Sequence, residues 1–435
     1  MKLQAISKPA ISHQQDRTGS RGALPVSQLT EKEARLASLE ATLNEAWSRK
    51  HGQRQSGPVA QRYVNELLLD DLYGIDGLKD NLKILINQYN KRDDQVRPDF
   101  YGSERYPSGW YESQLRTLQD IQDLVDPALE DRSVPEYNHS ALRSLLANLG
   151  TERMTLAGKH LKNDPSMRSE LPHELHFIWS GKPIRKSALK NIQKWAKLAG
   201  KSSWKINVWT DPQDSDWMEA GQDLGKSNVN LKGIDQSVLD ERLQPFYDTF
   251  IQGRNYPAAS DVARYSILKK YGGVYVDVDI GPGDLSLNPE SSFRPNLPLL
   301  APEIRDEEAV RDELGLKAKT KIRPEMVKEV ATRRIGRGVV NNNFIVSPPG
   351  TEAMEEVIEE VVRKVNKKGP EDLIRNPEAT AAITGPVAVK SGLYNYVRKK
   401  YPFLDEEQAM DVLNASLMHD MPLEWITPES EMQVQ

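Results

Sequence analysis

The sequence predicts an α/β protein whose mainly parallel sheet is flanked by helices and preceded by a separate helical region. Three observations carry this expectation. A strand–helix–strand pattern spans residues 175–209. A further apolar strand, Val274 to Ile280, follows a helix that stops at Gly272-Gly273. Before residue 165, apolar positions recur at helical intervals with few β-branched runs.

The first residues, 1–29, read as a disordered tail. Met1 to Ser27 is rich in Ser, Gln and Arg and lacks the apolar stretch of a cleaved signal peptide. The tail therefore suits a soluble protein exported by another route, with a non-cleaved secretion signal as one role. Thr30 and Glu33 have capping-box spacing, and Leu36, Leu39, Leu43 and Trp47 follow at helical intervals. The period returns in Val64 to Leu72, in Leu78, Leu82, Leu85 and Ile86, and in Leu115, Leu118, Ile121, Leu124 and Val125. It ends in Leu142, Leu145, Leu146 and Leu149, with Gly150 as the stop. Residues 30–165 thus read as a helical bundle. Its role is structural, or it contacts a membrane surface or a partner.

Residues 170–435 form the second domain. Leu175 to Trp179 is a strand, Ser180-Gly181-Lys182-Pro183 a turn, and the helix from about Ser187 sets Leu189, Ile192 and Trp195 on one face. Ile206 to Trp209 is the next strand, ending in Thr210-Asp211-Pro212. Such a unit implies parallel strands and a right-handed crossover, with ligands at the carboxyl ends. Ser260 is placed to cap a helix from Asp261 to about Lys270. Gly281-Pro282-Gly283 closes the strand Val274 to Ile280. The segment at about 303–337 is dense in charge and reads as a surface insertion. Val339 to Val346 is a strand, Met354, Val357, Ile358, Val361 and Val365 form one helix face, and Ile383-Thr384-Gly385-Pro386 precedes the last helices.

Composition excludes several classes. The 435 residues carry a net charge of −5, without the basic surplus of a nucleic-acid binder. There is no cysteine, which removes disulfides, thiolate catalysis and Cys-ligated zinc. Such a chain tolerates any redox compartment and suits passage through a narrow export conduit, although chance usage explains it equally well. The longest apolar runs are a few residues, far short of the roughly 20 of a spanning helix.

The strand Val274 to Ile280 holds the sharpest chemical signal. Period-two alternation sends Val274, Val276, Val278 and Ile280 into a core and turns Tyr275, Asp277 and Asp279 the other way. Two carboxylates about 7 Å apart on one face repel unless a cation offsets them. A hard divalent ion, Mg²⁺ or Mn²⁺, does so with oxygen ligands, phosphate and water. The bland alternative is an edge strand with a wet face. Asp261 and Arg264 stand at i and i+3, and a guanidinium fork suits a diphosphate. A surface salt bridge is the alternative there. Trp179, at a strand end, is placed to stack on a base, a contact worth roughly 1–3 kcal/mol, or it is a core tryptophan.

Together these segments resemble the glycosyltransferase domain of the large clostridial glucosylating toxins and, more loosely, the Asp-x-Asp sugar transferases. The matching stretches are Leu175 to Trp179 with Gly181, the Ile192 to Trp195 helix, Ala258 to Arg264, and Leu268 to Asp279 with Gly281-Pro282-Gly283. The resemblance implies a GT-A-type mixed, mainly parallel sheet. It makes Trp179 the uracil-stacking residue, with Ile178 and Ser180 contacting the nucleoside. Asp261, next to Ser260 of the same motif, would bind sugar hydroxyls, Arg264 the diphosphate or sugar, and Tyr275 the sugar pocket. Asp277 would contact ribose and a metal-bound water, Asp279 would ligate Mn²⁺, and Asn343 would reach the sugar. Gln213 stands where the family has an asparagine that holds the nucleotide. Trp425 and Glu424 stand nearest to the family's C-terminal tryptophan and metal ligand, and the usual serine before that tryptophan is missing.

The implied activity is a retaining, Mn²⁺-dependent transfer of glucose or N-acetylglucosamine from UDP-glucose or UDP-GlcNAc onto a host protein, such as a small GTPase. The protein would be secreted and act in the host cytoplasm as a toxin or effector. Two other readings stay open: a non-catalytic UDP-sugar-binding or partner-docking protein, and a metal-dependent phosphoesterase using Asp277 and Asp279. The latter calls for further ligands, and the domain offers His173, His176 and His419.

Overall fold

The computed structural model describes residues 65, 68–70, 72–94, 109–163, 170–181, 184–211, 229–282, 297–302, 304 and 307–420. The expected tail, the Thr30 cap and the Leu36 to Trp47 helix lie outside them. The first helices with described bounds are α1 (Asp76–Asp94), α2 (Trp110–Glu130) and α3 (Glu136–Asn163). Leu82 and Ile86, then Leu118, Ile121 and Val125, then Leu142, Leu145 and Leu149 are buried, the positions that carry the helical period. Gly150 does not stop α3, which continues to Asn163. A helical glycine costs roughly 0.5–1 kcal/mol, and burial of Leu156, Ala157 and Leu161 beyond it offsets that.

β1 (Glu174–Trp179), α4 (Lys186–Ala199) and β2 (Lys205–Thr210) are the expected crossover unit. Ala188, Ile192, Trp195, Ala196 and Ala199 bury one face of α4. β3 (Val229–Gly233) follows, a strand the sequence hardly announces because only Val229 is buried. α5 (Gln244–Gln252) leads to α6 (Tyr256–Tyr271) and β4 (Gly273–Val276). α6 starts ahead of Ser260. Asn255 caps it, its side chain accepting the Ala258 N–H at 3.2 Å, and Pro257 sits in the first turn, where no hydrogen bond is lost. Ser260 is therefore a residue within the helix.

β5 (Leu299–Pro302), α7 (Glu307–Glu313), α8 (Pro324–Gly336) and β6 (Val340–Ser347) come next. The charged segment 303–337 has a buried inner face formed by Val310, Val327, Val330, Ala331 and Ile335. Its charges pair outside, with Arg337 on Glu313 at 2.6 Å. The described chain ends in α9 (Glu352–Lys368), α10 (Pro370–Arg375), α11 (Thr380–Ile383), α12 (Pro386–Lys400) and α13 (Glu406–Asp420). The described residues from Leu72 onward belong to one compact unit. Within it α13 packs on α3, and the buried Tyr401 hydroxyl bonds His160 Nδ1 at 2.8 Å.

The sheet order is β3-β2-β1-β4-β6-β5. β1 pairs in parallel with β2 and β4, β2 pairs in parallel with β3, and β6 runs antiparallel to β4 and β5. The sheet is mixed and mainly parallel, as the sequence predicts.

Gly272-Gly273 does more than end α6. Gly272 has φ +65° and Gly273 φ +94°, backbone that costs other residues roughly 1–3 kcal/mol. A Cβ on Gly272 would lie 2.6 Å from Pro349 N, and one on Gly273 would strike the Glu174 carbonyl. Gly273→Ala is therefore expected to lower stability by about 2 kcal/mol or more. A urea midpoint within error of wild type would refute this.

Four charges tie this layer together. Arg242 forks onto Asp240 at 2.8 and 2.9 Å, Lys269 reaches Asp240 at 2.9 Å, and Glu355 of α9 meets both cations. The Arg242 and Lys269 bonds hold the Asp240 carboxyl below the usual range. A depressed folded pKa contributes stability above the unfolded value, near 4, and loses it as pH falls through the folded value. Asp240→Asn should thus lower stability at pH 7 and flatten the acid limb of a stability–pH curve. An unchanged acid limb would contradict the network.

Candidate active site

The strand order reverses between β1 and β4: β1 leads outward to β2 and β3, while β4 lies on its other side. At such a switch point the strand ends splay and open a crevice. A cavity of about 660 Å³ lies there, within the range of small-ligand sites. Ile178, Trp179 and Ser180 line it from the end of β1, Ser260 and Arg264 from α6, and Tyr275, Asp277 and Asp279 from the end of β4.

The two aspartates reach the cavity differently from the sequence expectation. β4 ends at Val276, and Asp277 to Ile280 form a turn closed by Ile280 N–H on the Asp277 carbonyl at 3.0 Å. Val278 is half-buried and lines the cavity instead of entering the core. Aspartate is a poor strand former, and the turn brings both carboxylates to one opening. α4 fixes this turn: Asn191 Nδ2 donates to the Val278 carbonyl at 3.2 Å, and Trp195 Nε1 to the Ile280 carbonyl at 2.9 Å. From β6, the Asn343 carbonyl accepts the Asp277 N–H at 2.8 Å.

Arg264 is the hub. It is 5% exposed. Its Nε donates to the Ser260 carbonyl at 3.3 Å, Nη1 to the Asn342 carbonyl at 2.6 Å, and Nη2 to Ser260 Oγ at 3.1 Å. Nη2 also stands 3.2 Å from Asp261 and 3.3 Å from Asp277, and the guanidinium lies 4.2 Å from the Tyr275 ring centre. Tyr275 Oη donates to Asp277 Oδ1 and contacts Ser260 Oγ at 3.3 Å. Burial opposes the Arg264 charge, but Asp277, Tyr275 and Asp261 outweigh it and raise its pKa. Burial raises the Tyr275 phenol too, keeping it a donor.

Asp261 lies behind the cavity wall, 5% exposed. Asn342 Nδ2 donates to its Oδ1 at 2.9 Å and Thr384 Oγ1 to its Oδ2 at 2.8 Å. Burial lifts its pKa, and Arg264, Thr384 and Asn342 hold back that rise. Asn342 and Thr384 escape a sequence reading. The Asn341-Asn342-Asn343 run points to the strand but not to the residue, and Thr384 meets Asp261 only through the fold. Arg185, Asn191 and Tyr256 of the cavity wall likewise carry no local sequence signal.

The donor set fits a hard divalent ion. Asp277 and Asp279 offer carboxylate oxygens to one cavity, and the Asp279 pKa is raised by burial and then by Asp277, a crowding that a cation relieves. Asn343 is not among the cavity-lining residues, and among the described residues its Oδ1 is buried with no hydrogen-bond partner. Among the described residues no group of three or more His, Cys, Asp or Glu gathers as for a metal. Phosphate and water would complete the shell, as is usual for Mg²⁺. Gln213, Glu424 and Trp425 lie outside the described residues.

Among the described residues, His173 and His176 do not line the cavity. His176 is fully buried, its Nε2 on the Gly272 carbonyl at 2.9 Å and its Nδ1 accepting from Trp209 Nε1 at 3.1 Å. Burial drives its pKa down to about 3, so it is neutral and structural. His173 stacks on Trp204 at 4.9 Å, ahead of β1. The side chain of His419 lies outside the described residues.

Residues 185–292 match the family model of the glycosyltransferase sugar-binding region containing a DXD motif. The matched residues hold α4, α6 and β4, so three of the cavity's walls, and Asp277-Val278-Asp279 lies among them. Toxin A of Clostridium novyi is 44% identical over 66 residues, 15% of this chain and 3% of that protein. Inositol phosphoceramide mannosyltransferase 1 of Schizosaccharomyces pombe is 25% identical over 150 residues, 33% of this chain and 40% of that protein. Among solved structures, the catalytic domain of alpha-toxin from Clostridium novyi aligns at 13% identity and TM-score 0.37, over 82% of this chain and 85% of that one. The resemblance rests on the family-model match and on the short segments shared with these curated relatives, which span less than half of each relative. Among the described residues no helix is long and apolar enough to cross a membrane.

Proposed function

We propose that the chain is a metal-dependent glycosyltransferase that binds a UDP-sugar, UDP-glucose or UDP-GlcNAc, in the β1–β4 cavity and transfers the sugar with retention to a host protein side chain. One observation carries this reading: Trp179 and the Asp277/Asp279 pair open into the same cavity at the switch point of the sheet. The resident chemistry divides by residue. Trp179 offers a ring face to the base. Asp277 and Asp279 would hold Mn²⁺ or Mg²⁺, which when bound supplies Lewis-acid stabilisation of the leaving diphosphate. Arg264 and Tyr275 fix the orientation of Asp277. Asn343, whose carbonyl accepts the Asp277 N–H, is the residue that the resemblance brings to the sugar.

Asp261 supports this arrangement by positioning: its contacts to Arg264, Asn342 and Thr384 link α6, β6 and α11 around the cavity. The Asp261 contact with sugar hydroxyls implied by the family requires one of these partners to yield. The acceptor is a host protein, small GTPases among the choices, and the protein acts after secretion in the host cytoplasm. The test is to incubate the protein with radiolabelled UDP-glucose or UDP-GlcNAc, with and without Mn²⁺, alone and with host lysate. Metal-dependent release or transfer of one sugar is expected. No turnover of either donor with any acceptor, despite binding of UDP, would favour a non-catalytic binder.

A further inference from the structure

The outer face of α4 carries charge of one sign only. From Arg185 to Lys205 the chain carries seven cationic residues and no acidic one, in a protein of net charge −5. Lys186, Lys190, Lys194 and Lys197 are exposed, whereas Ala188, Ile192, Trp195, Ala196 and Ala199 are buried. At 100° per residue the four lysines fall within one narrow sector opposite the buried face. They form a row roughly 16 Å long. None of the four has a carboxylate or hydrogen-bond partner among the described residues. Protein surfaces ordinarily intersperse both signs, so an uncompensated row on an acidic chain asks for an anionic partner.

The composition of the face decides which partner. Interfaces between proteins are depleted in lysine and anchored by aromatic residues and arginine. This row has lysines and no exposed aromatic residue. Diffuse attraction to anionic headgroups needs only such charges, each worth about 1 kcal/mol near the surface, and clusters of about four to eight on an amphipathic helix mark binding to anionic lipid. The same helix lines the cavity through Ser187, Ala188 and Asn191. We propose that the lysine face of α4 docks on an anionic phospholipid bilayer and sets the cavity mouth beside the membrane. This surface is separate from the N-terminal helices, and its binding does not depend on the donor chemistry.

The test sediments the full chain with vesicles of phosphatidylcholine alone and with about a third phosphatidylserine. Binding is expected only with phosphatidylserine, and it should fade at high salt. The fourfold variant K186Q/K190Q/K194Q/K197Q keeps helix propensity and should bind these vesicles roughly 10²-fold more weakly or worse. Its UDP-sugar turnover in solution should match wild type, because none of the four lines the cavity. Equal vesicle binding by the variant, or equal binding to neutral vesicles, overturns the proposal. So does wild type that ignores all vesicles while the variant loses transfer to an acidic protein, for the face then serves a protein partner. Vesicle binding without donor turnover would sink only the glycosyltransferase reading.

Discussion

Asp279→Asn is expected to lower metal-dependent UDP-sugar turnover by roughly 10²–10³-fold or more, because Lewis-acid stabilisation is worth several kcal/mol. Its stability should stay at the wild-type level or rise slightly. The sign follows from the fold. Burial and the neighbouring Asp277 raise the Asp279 pKa, so its charge is unfavourable in the folded state at neutral pH, and removing that charge relieves it. Asp277→Asn should differ. Asp277 contacts Arg264 at 3.3 Å and accepts from Tyr275, so its loss weakens both metal binding and the Arg264 network. Activity assays paired with urea unfolding separate the two variants. An Asp279→Asn protein that retains metal-dependent turnover would remove Asp279 from the site.

Arg264→Met should have the largest effect on stability. The substitution leaves Asp261, 5% exposed, without its cation and leaves Asp277 beside it uncompensated. Removing one partner of a buried ion pair costs roughly 3–5 kcal/mol. The Asn342 carbonyl and Ser260 also lose their donors. Arg264→Lys keeps the charge but not the fork, and should recover only part of the loss. The double variant Arg264→Met with Asp261→Asn should be less unstable than the sum of its single changes, since the orphaned charge is gone. A loss below about 1 kcal/mol in Arg264→Met would mean that the network is not held by buried charge.

Much of this architecture is legible in the sequence, and the failures share a cause. β1, α4 and β2 are clear because aromatic and β-branched runs alternate with an amphipathic helix. Trp179 follows from its place at a strand end, and the two aspartates from their spacing on the Val274 to Ile280 run. The Val274 to Ile280 run misleads because its apolar residues alternate as in a strand, while Asn191 and Trp195 of a distant helix hold its second half as a turn. Ser260 misleads because Ser-Asp is a good capping pair, yet Asn255 ahead of a proline caps earlier. Asn342 and Thr384 have no local signal at all. They become site residues only when β6 and α11 arrive beside α6, a long-range event. β3 and β5 are short, with little apolar run to read.

Calorimetric titration with UDP tests the central claim most directly. The wild-type chain should bind UDP in the presence of Mn²⁺, bind it far more weakly once the metal is chelated, and the Asp279→Asn chain should resemble the chelated wild type. Absence of UDP binding under every condition, or binding indifferent to both Mn²⁺ and Asp279, would contradict a metal-dependent donor site at the junction of β1 and β4.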